Sequence, residues 1–239
     1  MQRYFGQVIS NQVLLADDDV FHLTKVMRAR PGDQIEVVSD EKLFLCEVKK
    51  TKPLAIDVIK SINENHELKN KVILIAALIK GEKFDFLLQK ATELGASEII
   101  LLQTERTIVK IKPAEKELKL ERYRRILKEA AEQCKRTRIP SLYRVIDMEG
   151  LKDVDAQVKM IAYEEVSGVT ESFNSLVRSI KDKQKVAVVI GPEGGFSKEE
   201  VDLAIDAGYA PVSLGKRILR AETASFYALS VIANHLERK

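Results

Sequence analysis

VILIAALIKGEKFDFLLQKATELGASEIILLQ, residues 72–103, reads as a strand, a helix and a second strand in that order. VILIAAL is an unbroken apolar run of strand length, the pattern of a strand covered on both faces. In EKFDFLLQKATELG the period changes, with Phe84, Leu87, Leu88, Ala91 and Leu94 at helical spacing. Gly95 closes that helix as its C′ residue, and EIILLQ returns to the strand pattern. This order predicts a parallel sheet with helices on its faces. Further strands are expected at MIAYEE, KVAVVI and APVSLG.

Upstream the texture differs. In RPGDQIEVVSDEKLFLCEVKKTKPLAIDVI, residues 30–59, apolar residues alternate at Ile35/Val37, Leu43/Leu45 and Ile56/Val58, with turns at PGD and SDEK. A small antiparallel barrel is expected over residues 1–69, and an α/β domain over 70–239. The polar stretch SINENHELKN, 61–70, is the expected linker. No internal repeat or low-complexity segment interrupts either part.

Composition sets broad limits. A chain that is 45% hydrophobic and 31% charged has the balance of a globular protein with a full core. MQRYFGQVIS lacks the apolar stretch of a signal peptide and no run reaches membrane-spanning length, so a cytoplasmic location is expected. Cys46 and Cys134 form no CxxC pair, and His22, His66 and His235 lie far apart, so no metal site is expected.

The net charge of +3 is unevenly spread. Thr104 to Arg144 holds thirteen Lys/Arg against six Asp/Glu. That segment is either a polyanion-facing surface or a solvated helix face. Its helix, about 120–135, places Tyr123, Ile126, Leu127, Ala130, Ala131 and Cys134 on one side and its arginines largely off it. The last helix, AETASFYALSVIANHLER, is apolar on nearly all faces of its middle, which predicts burial all round, with one side covered by a second subunit.

Three strand ends carry unusual loops: IAYEEVSG, VVIGPEGG and SLGKRILRAETAS. In open α/β sheets ligands sit beyond the carboxyl ends of strands. GPEGGFSKEE, 191–200, holds three glycines where a turn needs one or two, and Ser197 with Glu200 reads as a capping box. The glycines are expected to supply positive φ and close backbone approach. There is no GxGxxG and no Gly-Lys-Ser/Thr, so neither the usual dinucleotide fingerprint nor a P-loop is present. The loop glutamate would repel a phosphate. An uncharged or cationic ligand suits it better, a sulfonium among the candidates.

GPEGGFSKEEVDLA followed by LGKRILRAETAS resembles the SPOUT superfamily of knotted methyltransferases. Within it the chain is similar to the RsmE family, which methylates N3 of a uridine in small-subunit ribosomal RNA. FHLTKVMRARPGD, KGEKFDFLLQKATELG, TERTIVK and ERYRRILKEAAEQCKRTRIP follow the family's order almost end to end. Met27 stands where the family has leucine.

The resemblance implies a PUA-like barrel, a trefoil-knotted domain and a homodimer. It implies S-adenosylmethionine among the three loops: Ile190, Gly191, Glu193 and Gly195 on one wall, Leu214, Gly215, Ile218, Leu219 and Arg220 on another, and Ala162, Tyr163 and Glu164 nearby. Ile218 and Leu219 are read either as covers for adenine or as plain core. Arg220 and Glu222 are the catalytic candidates, with Glu222 either a base or a helix cap. RNA contacts are expected from Arg3, His22, Lys25, Arg28 and Arg30 on the barrel and from Arg106, Arg136 and Arg138 on the basic segment. Two other readings stay open: a knotted methyltransferase with another base or ribose target, and a non-catalytic RNA-binding module.

Overall fold

The structure is a computed structural model and describes residues 1–163 and 172–238. The chain forms two compact units. The first comprises Met1–Glu67 and Lys128–Ile139, and the second Leu68–Leu127 and Pro140–Lys239.

The first unit is built on β1 (Arg3–Phe5), β2 (Gln7–Ile9), β3 (Gln12–Leu14), α1 (Asp17–Phe21, continued by a π-helical turn His22–Val26), β4 (Gln34–Ser39), β5 (Lys42–Thr51) and β6 (Leu54–Ile62). Its sheet has the order β1-β4-β5-β6-β3-β2. The two edge strands, β1 and β2, are separated in the chain by Gly6 alone. Across a flat six-stranded sheet those edges would lie about 24 Å apart, while Phe5 to Gln7 spans at most about 7 Å. The sheet therefore curls round on itself. Gly6 is needed at that seam, because a Cβ there would lie 2.7 Å from the Leu14 carbonyl oxygen and 2.8 Å from Leu15.

The expected antiparallel pattern holds for every pair but one. β1 runs parallel to β4, through a long connection that local alternation does not reveal. The alternation in β5 is also broken: the register shifts between Leu45 and Cys46, so Leu43, Cys46 and Val48 are buried while Leu45 is only half-buried. Burial pushes the Cys46 thiol up to about 11, leaving it an inert core residue.

The second unit contains β7 (Lys71–Ala77), α2 (Glu82–Glu93), β8 (Glu98–Leu102), α3 (Lys116–Gln133, assigned to this unit as far as Leu127), β9 (Val145–Ile146), β10 (Val158–Ala162), α4 (Phe173–Ser179), β11 (Lys185–Ile190), α5 (Lys198–Asp206), β12 (Ala210–Val212) and α6 (Ala221–Glu237). Its sheet is parallel throughout, in the order β12-β10-β11-β7-β8-β9. Side-chain alternation splits its core in two. Leu74, Ala76, Leu101, Val186 and Val188 join Phe84 and Leu88 of α2, Leu120 and Leu127 of α3, and Ala228 and Ile232 of α6. Ile73, Ile75, Leu102, Ala187 and Val189 meet Val201 and Ala204 of α5 on the other face, with Leu151, Phe196 and Tyr209. Residues buried on both faces explain why β7 reads as a continuous apolar run.

α6 is less enclosed than its sequence suggests. Ala221, Ala224, Ser225, Ala228, Leu229, Ile232, Ala233 and Leu236 are buried, whereas Thr223, Tyr227, Ser230 and Asn234 form an exposed stripe. Within one chain the helix is amphipathic. Among the described residues no helix is long and apolar enough to cross a membrane.

Candidate active site

β10, β11 and β12 are neighbours and run parallel, so their carboxyl ends lie on one side of the sheet. The end of β10 and the segments that follow β11 and β12 surround a pocket of about 320 Å³, at the lower end of the range for small-molecule sites. Ala162 and Tyr163 come from the end of β10; Ile190, Gly191, Glu193 and Gly195 from β11 and its loop; Leu214, Gly215, Ile218, Leu219 and Arg220 from the segment after β12. Glu164 lies outside the described residues.

The glycines of the β11 loop serve different purposes. Only Gly195 has a positive φ, +66°, and a Cβ there would meet no atom within 4 Å. Gly191 is fixed by packing, since a Cβ would lie 2.9 Å from the Phe196 ring, and one on Gly194 would lie 3.2 Å from Cβ of Arg106. The expectation of positive φ at all three is thus corrected at Gly191 and Gly194. The capping box is present: Ser197 Oγ accepts the Glu200 N–H at 3.2 Å, and Glu200 Oε2 accepts the Ser197 N–H at 2.9 Å. After β12, Gly215 has φ +133°, and Ile218 is 84% exposed, which rules it out as core.

Several wall residues escaped the sequence reading. Arg106 arrives from the segment after β8, and Pro192, Gly194, Phe196, Ser213, Arg217, Ala221 and Ala224 also line the pocket. Only TERTIVK hinted at Arg106, and it pointed to RNA. Glu222 follows directly after Ala221 but is not among the described wall residues, and among the described residues its buried Oε2 has no hydrogen-bond partner.

This arrangement suits one kind of ligand. Glu193 favours a cationic centre, Arg217 and Arg220 favour an anionic group, and Leu214, Ile218 and Leu219 offer apolar surface. S-adenosylmethionine combines a sulfonium, a carboxylate and an adenine, and the residues present fit it.

A model described as an RNA methyltransferase domain matches residues 66–233. Another, described as an RNA methyltransferase PUA domain, matches residues 15–61. Ribosomal RNA small subunit methyltransferase E of Bacillus subtilis is 37% identical, over 99% of this chain and 98% of the relative. The chain belongs to the RsmE family. The RsmE protein of Synechocystis is 33% identical over 97% of this chain and 76% of its own. Among solved structures, a methyltransferase of Legionella pneumophila in complex with bound S-adenosylmethionine superposes with a TM-score of 0.89 at 30% identity, covering 98% of this chain and 97% of its own. An RsmE protein from Neisseria gonorrhoeae bound to S-adenosylmethionine gives a TM-score of 0.85 at 26% identity, covering 97% and 96%. As an RsmE-family chain, this protein uses S-adenosylmethionine as cofactor.

The RNA candidates separate sharply. Lys25, Arg28 and Arg30 are exposed on the first unit, Arg28 in the left-handed region at φ +54°. His22 is half-buried, its Nδ1 3.0 Å from the Tyr4 hydroxyl, whose pKa is raised by burial and by the Glu132 and Asp19 carboxylates. Two expectations are corrected. Arg3 is 1% exposed, paired with Glu36 at 2.9 Å and bonded to the Lys135 carbonyl. Arg136 is buried against Glu67 at 2.6 Å. Arg138 is exposed but paired with Glu41. Five acids from outside the basic segment, Asp19, Glu36, Glu41, Glu67 and Asp85, pair with Lys128, Lys135, Arg138, Arg136 and Arg122 respectively. The local charge excess is thus largely spent within the fold.

Proposed function

We propose that this RsmE-family chain methylates N3 of a uridine in small-subunit ribosomal RNA. The observation that carries the reading is the convergence of the end of β10 with the segments after β11 and β12 on a pocket whose walls fit S-adenosylmethionine. Bound there, S-adenosylmethionine supplies a methyl group on a cationic sulfur. Glu193 would balance that charge, and Ile218 and Leu219 would cover the adenine. Uracil N3 is nucleophilic only after losing its proton. Arg220, on the pocket wall, stabilises the resulting anion at the base oxygens. Glu222, whose buried Oε2 has no partner among the described residues, accepts the proton.

RNA is held by Lys25, Arg28 and Arg30, with residues 1–69 as the RNA-binding domain and 70–239, including the trefoil knot, as the methyltransferase. Phosphate contacts position the substrate and the target base leaves its stack. The protein works in the cytoplasm as a homodimer. The dimer reading is supported by aromatic surface beside α6, where Phe86 and Tyr227 are 48% and 38% exposed and Phe86 meets the Phe226 ring edge-on at 5.6 Å.

The test is mass mapping of ribosomal RNA from cells lacking the gene. One missing methyl at a uridine N3, restored by purified protein and S-adenosylmethionine, is expected. Restoration of a ribose methyl would move the reading to another target, and no missing methyl would favour a binding module.

A further inference from the structure

The turn after β8 closes on itself. Thr107 Oγ1 accepts the Thr104 N–H at 3.0 Å and lies 2.9 Å from Thr104 Oγ1, and both threonines are buried. The two residues between them reach out to the start of α5 and to the β11 loop. The Glu105 N–H donates to Glu200 Oε1 at 2.8 Å. An Arg106 guanidinium nitrogen donates to the carbonyls of Gly194 at 3.1 Å and Phe196 at 3.4 Å.

Glu200 therefore does more than cap α5. One oxygen accepts Ser197 N–H from its own loop and the other accepts Glu105 N–H from the neighbouring turn, with the residue only 7% exposed. A glycine-rich loop has many conformations to lose. Ordering it in advance spares the ligand that cost.

We propose that Arg106 and Glu200 are positioning residues that clasp the Gly191–Phe196 wall of the cofactor pocket to the turn after β8. On this account Arg106 sets cofactor affinity and is not a phosphate ligand, contrary to the expectation from sequence. The proposal rests on the reading that the pocket holds S-adenosylmethionine. Arg106 supplies a charged donor to two carbonyls at the loop's end, while Glu200 supplies a charged acceptor at the start of α5.

Arg106→Gln keeps much of the side chain's volume and removes the charge and the fork. Glu200→Gln keeps one acceptor and sets an NH2 group against a backbone N–H. Each is expected to raise the Kd for S-adenosylmethionine about tenfold, the effect of one charge-assisted hydrogen bond. Because both act on one loop, the double variant should lose less than the product of the two. For Arg106→Gln, the salt dependence of RNA binding should stay at the wild-type value. Calorimetric titration with S-adenosylmethionine and RNA binding across a salt series read these quantities, and Arg106, being exposed, can be replaced without loss of the fold.

Wild-type protein that fails to bind S-adenosylmethionine would sink the pocket reading and the clasp with it. Wild-type binding with an unchanged Kd for Arg106→Gln would sink the clasp alone. A salt slope flattened by about 0.7 to 0.9 in that variant would overturn it in favour of a phosphate contact.

Discussion

Arg136 and Glu67 form an ion pair at 2.6 Å in which the two side chains are only 5% and 6% exposed. The Glu67 carboxylate also accepts the backbone N–H groups of Thr137 at 2.9 Å and Arg138 at 3.0 Å. It thereby fastens the chain that follows α3 to the end of the segment leaving β6, both within the first unit. Removing the arginine leaves a buried carboxylate short of its counter-charge. Arg136→Ala is expected to cost about 3 to 5 kcal/mol of stability, read as a lower urea midpoint. Arg138→Ala, which breaks only the exposed pair with Glu41, should cost less than about 1 kcal/mol. Equal, small losses in both would mean that burial of the Glu67 pair carries no energetic weight.

Gly195 offers a cleaner probe of the pocket. Its φ of +66° disfavours a β-branched residue, yet a Cβ there meets no atom within 4 Å. Asparagine tolerates that backbone conformation, but its side chain enters the pocket. Gly195→Asn should therefore unfold at the wild-type temperature while binding S-adenosylmethionine at least about tenfold more weakly. Wild-type affinity in this variant would show that the glycine serves the turn alone.

The two catalytic candidates predict different signatures. Arg220→Ala should lower kcat by about 10² to 10³, the usual loss for one donor to a developing anion. Glu222→Gln should lower kcat by about 10² to 10⁴ with the Kd for S-adenosylmethionine unchanged, because a neutral amide cannot accept a proton. If kcat survives at the wild-type level, Glu222 is a structural carboxylate and another group takes the proton.

Stability in acid should depend on Glu36. Burial raises its pKa, but hydrogen bonds and charge from Lys135 and Arg3 outweigh burial and hold it below the usual 4.5. A carboxylate depressed in the folded state adds stability above its unfolded pKa, and that stability drains away as pH falls through the folded value. The advantage of wild type over Glu36→Gln is thus expected to be full at neutral pH and to shrink below about pH 4.5. Urea midpoints measured across that range check it; an advantage constant down to pH 2 would contradict the ion-pair account.

Much of this molecule was written locally. Phe84, Leu87, Leu88, Ala91 and Leu94 at helical spacing, and the apolar run 72–78, dictated α2 and β7 because side-chain period alone decides which face an element can bury. Ser197 and Glu200 fixed the start of α5 in the same way. The pocket loops were legible because glycine clusters after strands are costly unless geometry requires them. That each loop followed a strand of one parallel sheet placed them together.

Charge was a different matter. Counting Lys and Arg from Thr104 to Arg144 gave a basic segment, but Asp19, Glu36, Glu41, Glu67 and Asp85 reach it only through the fold. Arg3 and Arg136, which look like RNA ligands in one dimension, end as buried partners of Glu36 and Glu67. Arg106 went from the basic segment to the pocket wall for the same reason. The parallel β1–β4 pair likewise depended on a long connection. Periodicity is a property of neighbours along the chain, so sequence by itself determined most of the elements and the family, whereas the return of residues 128–139 to the first unit was not legible in it. Ion pairing and strand partnership are properties of neighbours in space, so only the tertiary structure decided which charges remain free to meet RNA.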